Sequence, residues 1–281
     1  MTIKGLTKIK NGVSLYLPFK ESIMSLLQIC DEFIVLLDGQ TTDTTRTELE
    51  ALKSDKIRII DFDEGVEKFG IDLGDSDWIF CLIPDEVVHE RYLSVIMSAC
   101  DREMESGIDT LRMEVVNFWG DYDHYQDGYG WRHTARKIFR NKEGVFRKIM
   151  EYEAGKKRTA NTKDIAARIN KYTWVKPPEI MQKAIKENPH VKEFSDYLLA
   201  KEKNFDYGSL EFLALYTDTH PRVMYPRISK MDWHDSLQFR GGTRGDRPKH
   251  RHEMVINRFL TKMQRLFSGK KSAGLNETGM L

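Results

Sequence analysis

The residues with the clearest chemical content lie in DWIFCLIPDEVVHE at 77–90, where an apolar run from Trp78 to Ile83 stops at Pro84 and is followed by Asp85 and Glu86. Short apolar runs bounded by a breaker read as buried strands, which puts both acids at a strand's carboxyl end. In open α/β sheets the ligand crevice lies at that end. Carboxylates placed there can hold a divalent cation or take a proton. A solvated acidic turn has the same composition, so the surrounding elements must decide.

A second set of polar groups sits in the loop DYDHYQDGYGWRH at 121–133. Aromatic faces stack on bases or sugars and acids accept hydroxyl hydrogen bonds, so such a loop reads as a binding element, the alternative being a capped hairpin with exposed tyrosines.

Strand-like sequence at 3–9 is closed by Lys10-Asn11-Gly12, and an amphipathic helix is predicted over 18–29, with Pro18 at its front and Glu21 in its first turn. A strand at 32–37 ends in Asp38; the polar turn GQTTDTT then leads to a helix over 46–52, with Asp43 or Thr44 as its cap. A third strand at 56–60 ends in Asp61, Asp63 and Glu64. Strand and helix in alternation, each strand finishing in acids, predict an α/β fold with a parallel, doubly wound sheet. Further elements expected are a helix at 90–105, a strand at 111–120, a basic segment at 155–163 and a helix after Pro177-Pro178. An apolar-aromatic patch spans 204–224. Past Arg240 the chain is basic and glycine-rich, with an amphipathic helix at 253–267 and a disordered tail from Lys271. The expected division is a domain over 1–224 and an extension over 225–281.

No GxGxxG follows the first strand and no GxxxxGK[ST] occurs, which excludes those dinucleotide and P-loop motifs. The 281 residues carry a formal charge of +1, with 40% hydrophobic and 31% charged residues, so nothing global draws the chain to nucleic acid or membrane. Three widely spaced cysteines, Cys30, Cys81 and Cys100, fit reduced core thiols. With no signal-peptide core and no apolar stretch of spanning length, the expected location is cytoplasmic.

Several stretches in order resemble the inverting family 2 glycosyltransferases of the GT-A fold, in a bacterial and phage-like subgroup with a DEVIHE-type segment. They are LTKIKNG at 6–12, FIVLLDGQTTDTT at 33–45, KIRIIDF at 56–62, DWIFCLIPDEVVHE at 77–90, NFWGDYD at 117–123, WVKPPEIM at 174–181 and FDYGSLEFLALYTDTHPRVM at 205–224. The resemblance implies transfer of a sugar from a nucleotide-sugar donor, UDP-linked, to a hydroxyl of a glycan or other acceptor, with inversion. It places Asn11, Asp38 and Asp43 on the donor and Asp85 on a divalent cation, Mg2+ or Mn2+. The first acid of the family's Asp-x-Asp is replaced here by Ile83. Lys171 stands where the family often has histidine, and offers a donor-side positive charge instead. Only 16 residues separate Asp61 from Trp78, too few for the family's usual donor-site helix. For the general base the expected residue is Asp121, with Glu86 or Asp123 as alternatives; Trp119, Asp123 and Trp131 are expected on the acceptor.

Two other readings stay open: a GT-A scaffold that has lost catalysis and serves as a binding partner, and a nucleic-acid-binding protein using the basic stretch from Arg240 to Lys271.

Overall fold

A computed structural model describes residues 1–63, 72–128, 131, 133–145, 147, 149, 161–187, 204–237 and 239. The basic stretch from Arg240 with its expected helix at 253–267, residues 155–160 of the basic segment, and most of the short connection before Trp78 lie outside the described residues.

Among the described residues ten strands form one sheet in the order β10-β7-β6-β8-β4-β1-β2-β3, with β9 paired to β5 and β6. They are β1 (Ile3–Ile9), β2 (Glu32–Asp38), β3 (Ile57–Phe62), β4 (Trp78–Cys81), β5 (Glu86–Val88), β6 (Thr110–Trp119), β7 (His124–Gln126), β8 (His133–Arg140), β9 (Thr162–Trp174) and β10 (Ala214–Leu215). Among the described residues the α-helices are α1 (Phe19–Leu26), α2 (Thr45–Glu50), α3 (Leu93–Arg102), α4 (Pro178–Glu187) and α5 (Tyr225–Ile228). The α/β class read from the sequence is the class observed.

The centre of the sheet, β3-β2-β1-β4, is parallel. Following the pairings outward, β6 and β9 run in that same direction, whereas β5, β7 and β8 oppose it. The carboxyl ends of β1, β2, β3, β4, β6 and β9 therefore emerge at one edge. This single fact of direction gathers the polar groups of distant segments.

Burial explains the run FIVLL in β2. Phe33, Val35 and Leu37 enter one core with Ile23 and Leu26 of α1 and Ile96 and Cys100 of α3, while Ile34 and Leu36 enter a second core with Leu73 and Phe139 on the opposite face. A parallel strand covered on both sides reads as continuously apolar for this reason. Gly5 of β1 leaves room for the Phe33 ring of β2: a Cβ there would stand 2.2 Å from that ring. The cysteines are free and buried, as expected of core thiols.

A third core, around Phe118, Trp119, Tyr172, Leu210 and Met224, also takes in Trp233 and Leu237. Trp233 Nε1 donates to the Gly120 carbonyl at 2.9 Å, and Arg227 reaches back to Glu21 of α1 at 2.9 Å. These contacts cross the expected division after Met224. Residues 225–237 belong to the body of the fold because their aromatic and apolar side chains complete its core.

Strand β9 is the main departure from the predicted elements. Sequence reasoning ended a basic segment at 163 and assigned no element to 164–171, yet these residues pair with β6 along most of its length. Alternation is present, with Ala167 and Ile169 buried and Arg168 exposed between them. The interspersed charges obscure it.

Candidate active site

At the shared edge the loops after β1 and β2 are tied together by side chains. Asn11, in the left-handed region at φ 49°, accepts a hydrogen bond from the Thr42 backbone N–H through Oδ1 at 2.8 Å. Asp43 accepts from Ser14 N at 2.7 Å and from Thr45 N at 3.0 Å. Partial burial works to raise the Asp43 pKa, but the hydrogen bonds from Thr45 and Ser14 outweigh it and hold the carboxyl below its usual value. Lys10 Nζ donates to Gln40 Oε1 at 2.7 Å, and Asp38 Oδ1 accepts from Gln40 N at 2.9 Å. The structure therefore brings Asn11, Asp38 and Asp43 into one two-loop platform. In it Asn11 and Asp43 hold the loops in shape.

Strand β4 lies on the other side of β1, and Asp85 follows it in the turn before β5. Thr173 Oγ1 donates to Asp85 Oδ2 at 2.5 Å, and Tyr172 N donates to the Asp85 carbonyl at 2.8 Å. Oδ1 is buried without a hydrogen-bond partner among the described residues. So is Nζ of Lys176, which is 3% exposed just beyond β9. Burial pushes the Lys176 pKa down to about 8, against the opposing pull of Asp85 and with some help from Arg227. A carboxylate and an ammonium thus face each other's field in the interior, below the point where the strand order reverses.

One carboxylate with one oxygen committed to Thr173, and with a lysine ammonium in its field, does not fit a divalent-cation site. Among the described residues no group of three or more His, Cys, Asp or Glu is placed to hold a metal ion. Ile83 supplies no second oxygen.

Several expected site residues are used otherwise. Glu86 is 2% exposed; its Oε2 accepts from Lys137 Nζ at 2.5 Å and from Ile83 N at 3.2 Å, so it is half of an interior ion pair and not a base open to substrate. Asp121 is 1% exposed, and its carboxylate accepts from the backbone of Asp123 and His124 and meets His124 Nδ1 at 2.8 Å. Its hydrogen bonds close the turn between β6 and β7. Trp119 stacks on Trp174 at 4.7 Å and donates through Nε1 to the Tyr207 carbonyl at 3.0 Å, which makes it a core residue and not an exposed sugar platform. Trp131 is half-buried, edge-on to Trp119 at 5.7 Å. Asp123 is exposed on the turn. Lys171 is half-buried on β9, in register with Glu86 of β5.

No protein-family model matches the chain, and no curated protein matches it. Among solved structures it is similar to glucosyl-3-phosphoglycerate synthase from Mycobacterium tuberculosis, in complex with Mn2+, uridine diphosphate and phosphoglyceric acid, at 17% identity over 41% of this chain and 43% of that chain, TM-score 0.30. It is also similar to the inositol-1-phosphate CTP transferase from T. maritima, at 11% identity over 60% of this chain and 89% of that one, TM-score 0.37. A third is residues 1–349 of S. aureus TarS, at 14% identity over 66% and 64% of the two chains, TM-score 0.37. The match spans less than half of the synthase. Likeness of this extent assigns no activity.

Lys176 is the residue that sequence reasoning passed over. Its signal was available: a lysine between Val175 and Pro177, in an apolar turn where a free ammonium has no evident reason to be. His220 lies within the apolar-aromatic patch of 204–224. Its Nε2 faces the Tyr122 carbonyl at 2.9 Å and its Nδ1 faces the Tyr172 hydroxyl at 2.8 Å. A carbonyl can only accept, so Nε2 carries the proton and Tyr172 donates to Nδ1. Burial lowers the His220 pKa and keeps the ring neutral.

Proposed function

We propose that this chain is a glycosyltransferase of the GT-A type that moves a sugar from a nucleotide donor to a hydroxyl acceptor with inversion. The observation that carries the reading is the reversal of strand order between β1 and β4 at a carboxyl edge bearing Asp38 on one flank and Asp85 on the other. That is where open α/β sheets bind nucleotides. The ordered resemblance along the sequence supports the same reading.

In this reading the two-loop platform, with Asp38 at its rim, receives the nucleoside, and the diphosphate lies toward Asp85. Departure of a nucleoside diphosphate needs positive charge. Half-buried Lys171 offers that charge, and buried Lys176 adds to the positive field around Asp85 without touching the donor, in place of the metal ion of a complete Asp-x-Asp.

Of the acids weighed for the base, Asp123 is the exposed one. The acceptor oxygen attacks the anomeric carbon as its proton passes to the Asp123 carboxylate; the bond from that carbon to the diphosphate oxygen breaks, and its electron pair leaves with the diphosphate.

Isothermal titration with UDP and GDP tests the donor side. Binding of one of them, weakened about tenfold or more in Asp38→Ala, a loss of roughly 1.4 kcal/mol, is the expected result. Absence of binding by every nucleoside diphosphate tried would overturn the reading.

A further inference from the structure

Away from the edge just described, a cleft of about 270 Å³ opens beside the middle of β6. Glu114 and Arg168, paired at 2.7 Å across β6 and β9, border it together with Tyr125, Tyr216, Thr217 and Asp218. None of Asn11, Asp38, Asp85, Lys171 or Lys176 lines it. Val116, also in its lining, lies three residues before Trp119, roughly 10 Å along the strand from the carboxyl edge.

From this lining we infer a saccharide-binding site, separate from the donor site and able to hold one end of an extended glycan. Three observations point to that ligand class. The lining holds two acids, Glu114 and Asp218, and one cation, Arg168, with Arg91 outside it bound to Asp218 at 2.8 Å, so there is no excess of cations to attract a phosphate or a nucleic-acid backbone. Carboxylates and guanidinium groups together offer acceptors and donors, which is what a ring of hydroxyls requires. Tyr125 and Tyr216, edge to face at 6.1 Å, supply the aromatic surface on which the C–H faces of a sugar ring pack.

The local structure also departs from what stability alone would build. Gln126, in the lining, is buried, and neither its amide nitrogen nor its oxygen has a hydrogen-bond partner among the described residues. Leaving such a group buried and unpaired is destabilising. Beside it Leu215 stands exposed. The cleft is small against the ~300–1,000 Å³ of typical ligand pockets, which suits a short saccharide or the end of a chain.

The inference goes beyond donor binding and holds whether or not the chain turns over. Its test uses the full chain with cellobiose, lactose and chitobiose as probes, read by saturation-transfer NMR and titration at millimolar concentration, with UDP titrated in parallel. Expected is binding of at least one disaccharide, lost in Thr217→Trp, which fills the cleft from its exposed rim, and weakened about tenfold in Arg168→Ala, with UDP affinity unchanged in both. Unchanged melting temperatures establish that both variants fold. Disaccharide binding that survives Thr217→Trp would overturn the placement. Failure of all three disaccharides while UDP binds would overturn the saccharide assignment and leave the donor reading standing. Disaccharide binding lost in Thr217→Trp without any UDP binding would uphold the cleft and overturn the donor reading instead.

Discussion

Asp85 Oδ1 and Lys176 Nζ are both buried and both lack a hydrogen-bond partner among the described residues, although each lies in the electrostatic field of the other. Neither the carboxylate nor the ammonium is placed to stabilise the fold efficiently, because desolvating charge without pairing it is costly. Proteins keep such arrangements where charge is used.

The lysine has a measurable signature. Its folded-state pKa is depressed to about 8 from 10.5, so between those values the unfolded chain binds more protons and stability rises with pH. Below about pH 8 the full cost applies, roughly 3 kcal/mol at 1.36 kcal/mol per pKa unit. Urea denaturation from pH 7 to 10.5 should show wild type gaining on Lys176→Met by an amount of that order. Parallel stability curves for the two proteins would refute the buried-charge assignment.

The pair Glu86 and Lys137 behaves differently, since both charges are buried and bonded at 2.5 Å. Removing one partner leaves the other uncompensated, so Glu86→Gln and Lys137→Met are each expected to cost about 3–5 kcal/mol, and the double variant less than the sum. A denaturant double-mutant cycle measures the coupling, and additive losses would show that the pair is not interacting.

The Phe33 ring of β2 occupies the space that a side chain at Gly5 would need. With the Phe33 ring 2.2 Å from where a Cβ would be, Gly5→Ala should destabilise by about 1–3 kcal/mol. Phe33→Leu in the same chain should recover part of that loss. If the two penalties simply add, the steric account is wrong.

Asp121 and Asp123 should separate cleanly despite their proximity. Asp121→Asn loses charge-assisted bonds that close a buried turn, and a stability loss of about 1–3 kcal/mol is expected. Asp123→Asn, on an exposed residue, should leave the melting temperature in place and lower kcat by about 100-fold or more if it is the base. A variant at Asp123 with undiminished turnover would return the role of base to another group.

Much of the framework was legible along the chain. The alternation of strand and helix to residue 60, the apolar run before Asp85, and the acids at strand ends all follow from local periodicity and breakers, which depend on near neighbours. Asn11, Asp38 and Asp43 each close a predicted strand or turn, but the family resemblance, not local pattern, is what grouped them.

What local pattern could not decide was which side chains remain free. Glu86, Asp121 and Trp119 have the types that catalysis and sugar binding use, and each is taken up by a partner distant in sequence or by a turn: Lys137, the His124 turn, Trp174 and Tyr207. Lys176 went unremarked for the converse reason, because its burial near Asp85 exists only once β9 has paired with β5 and β6. By itself the sequence determined the kinds of element, their order and the carboxylates that end them, because hydrophobic period and turn chemistry act over a few residues. Tertiary structure alone decided which charges are spent in pairs and which lie buried in one another's field without a hydrogen bond, because burial and opposite charge act through space between segments the chain keeps far apart.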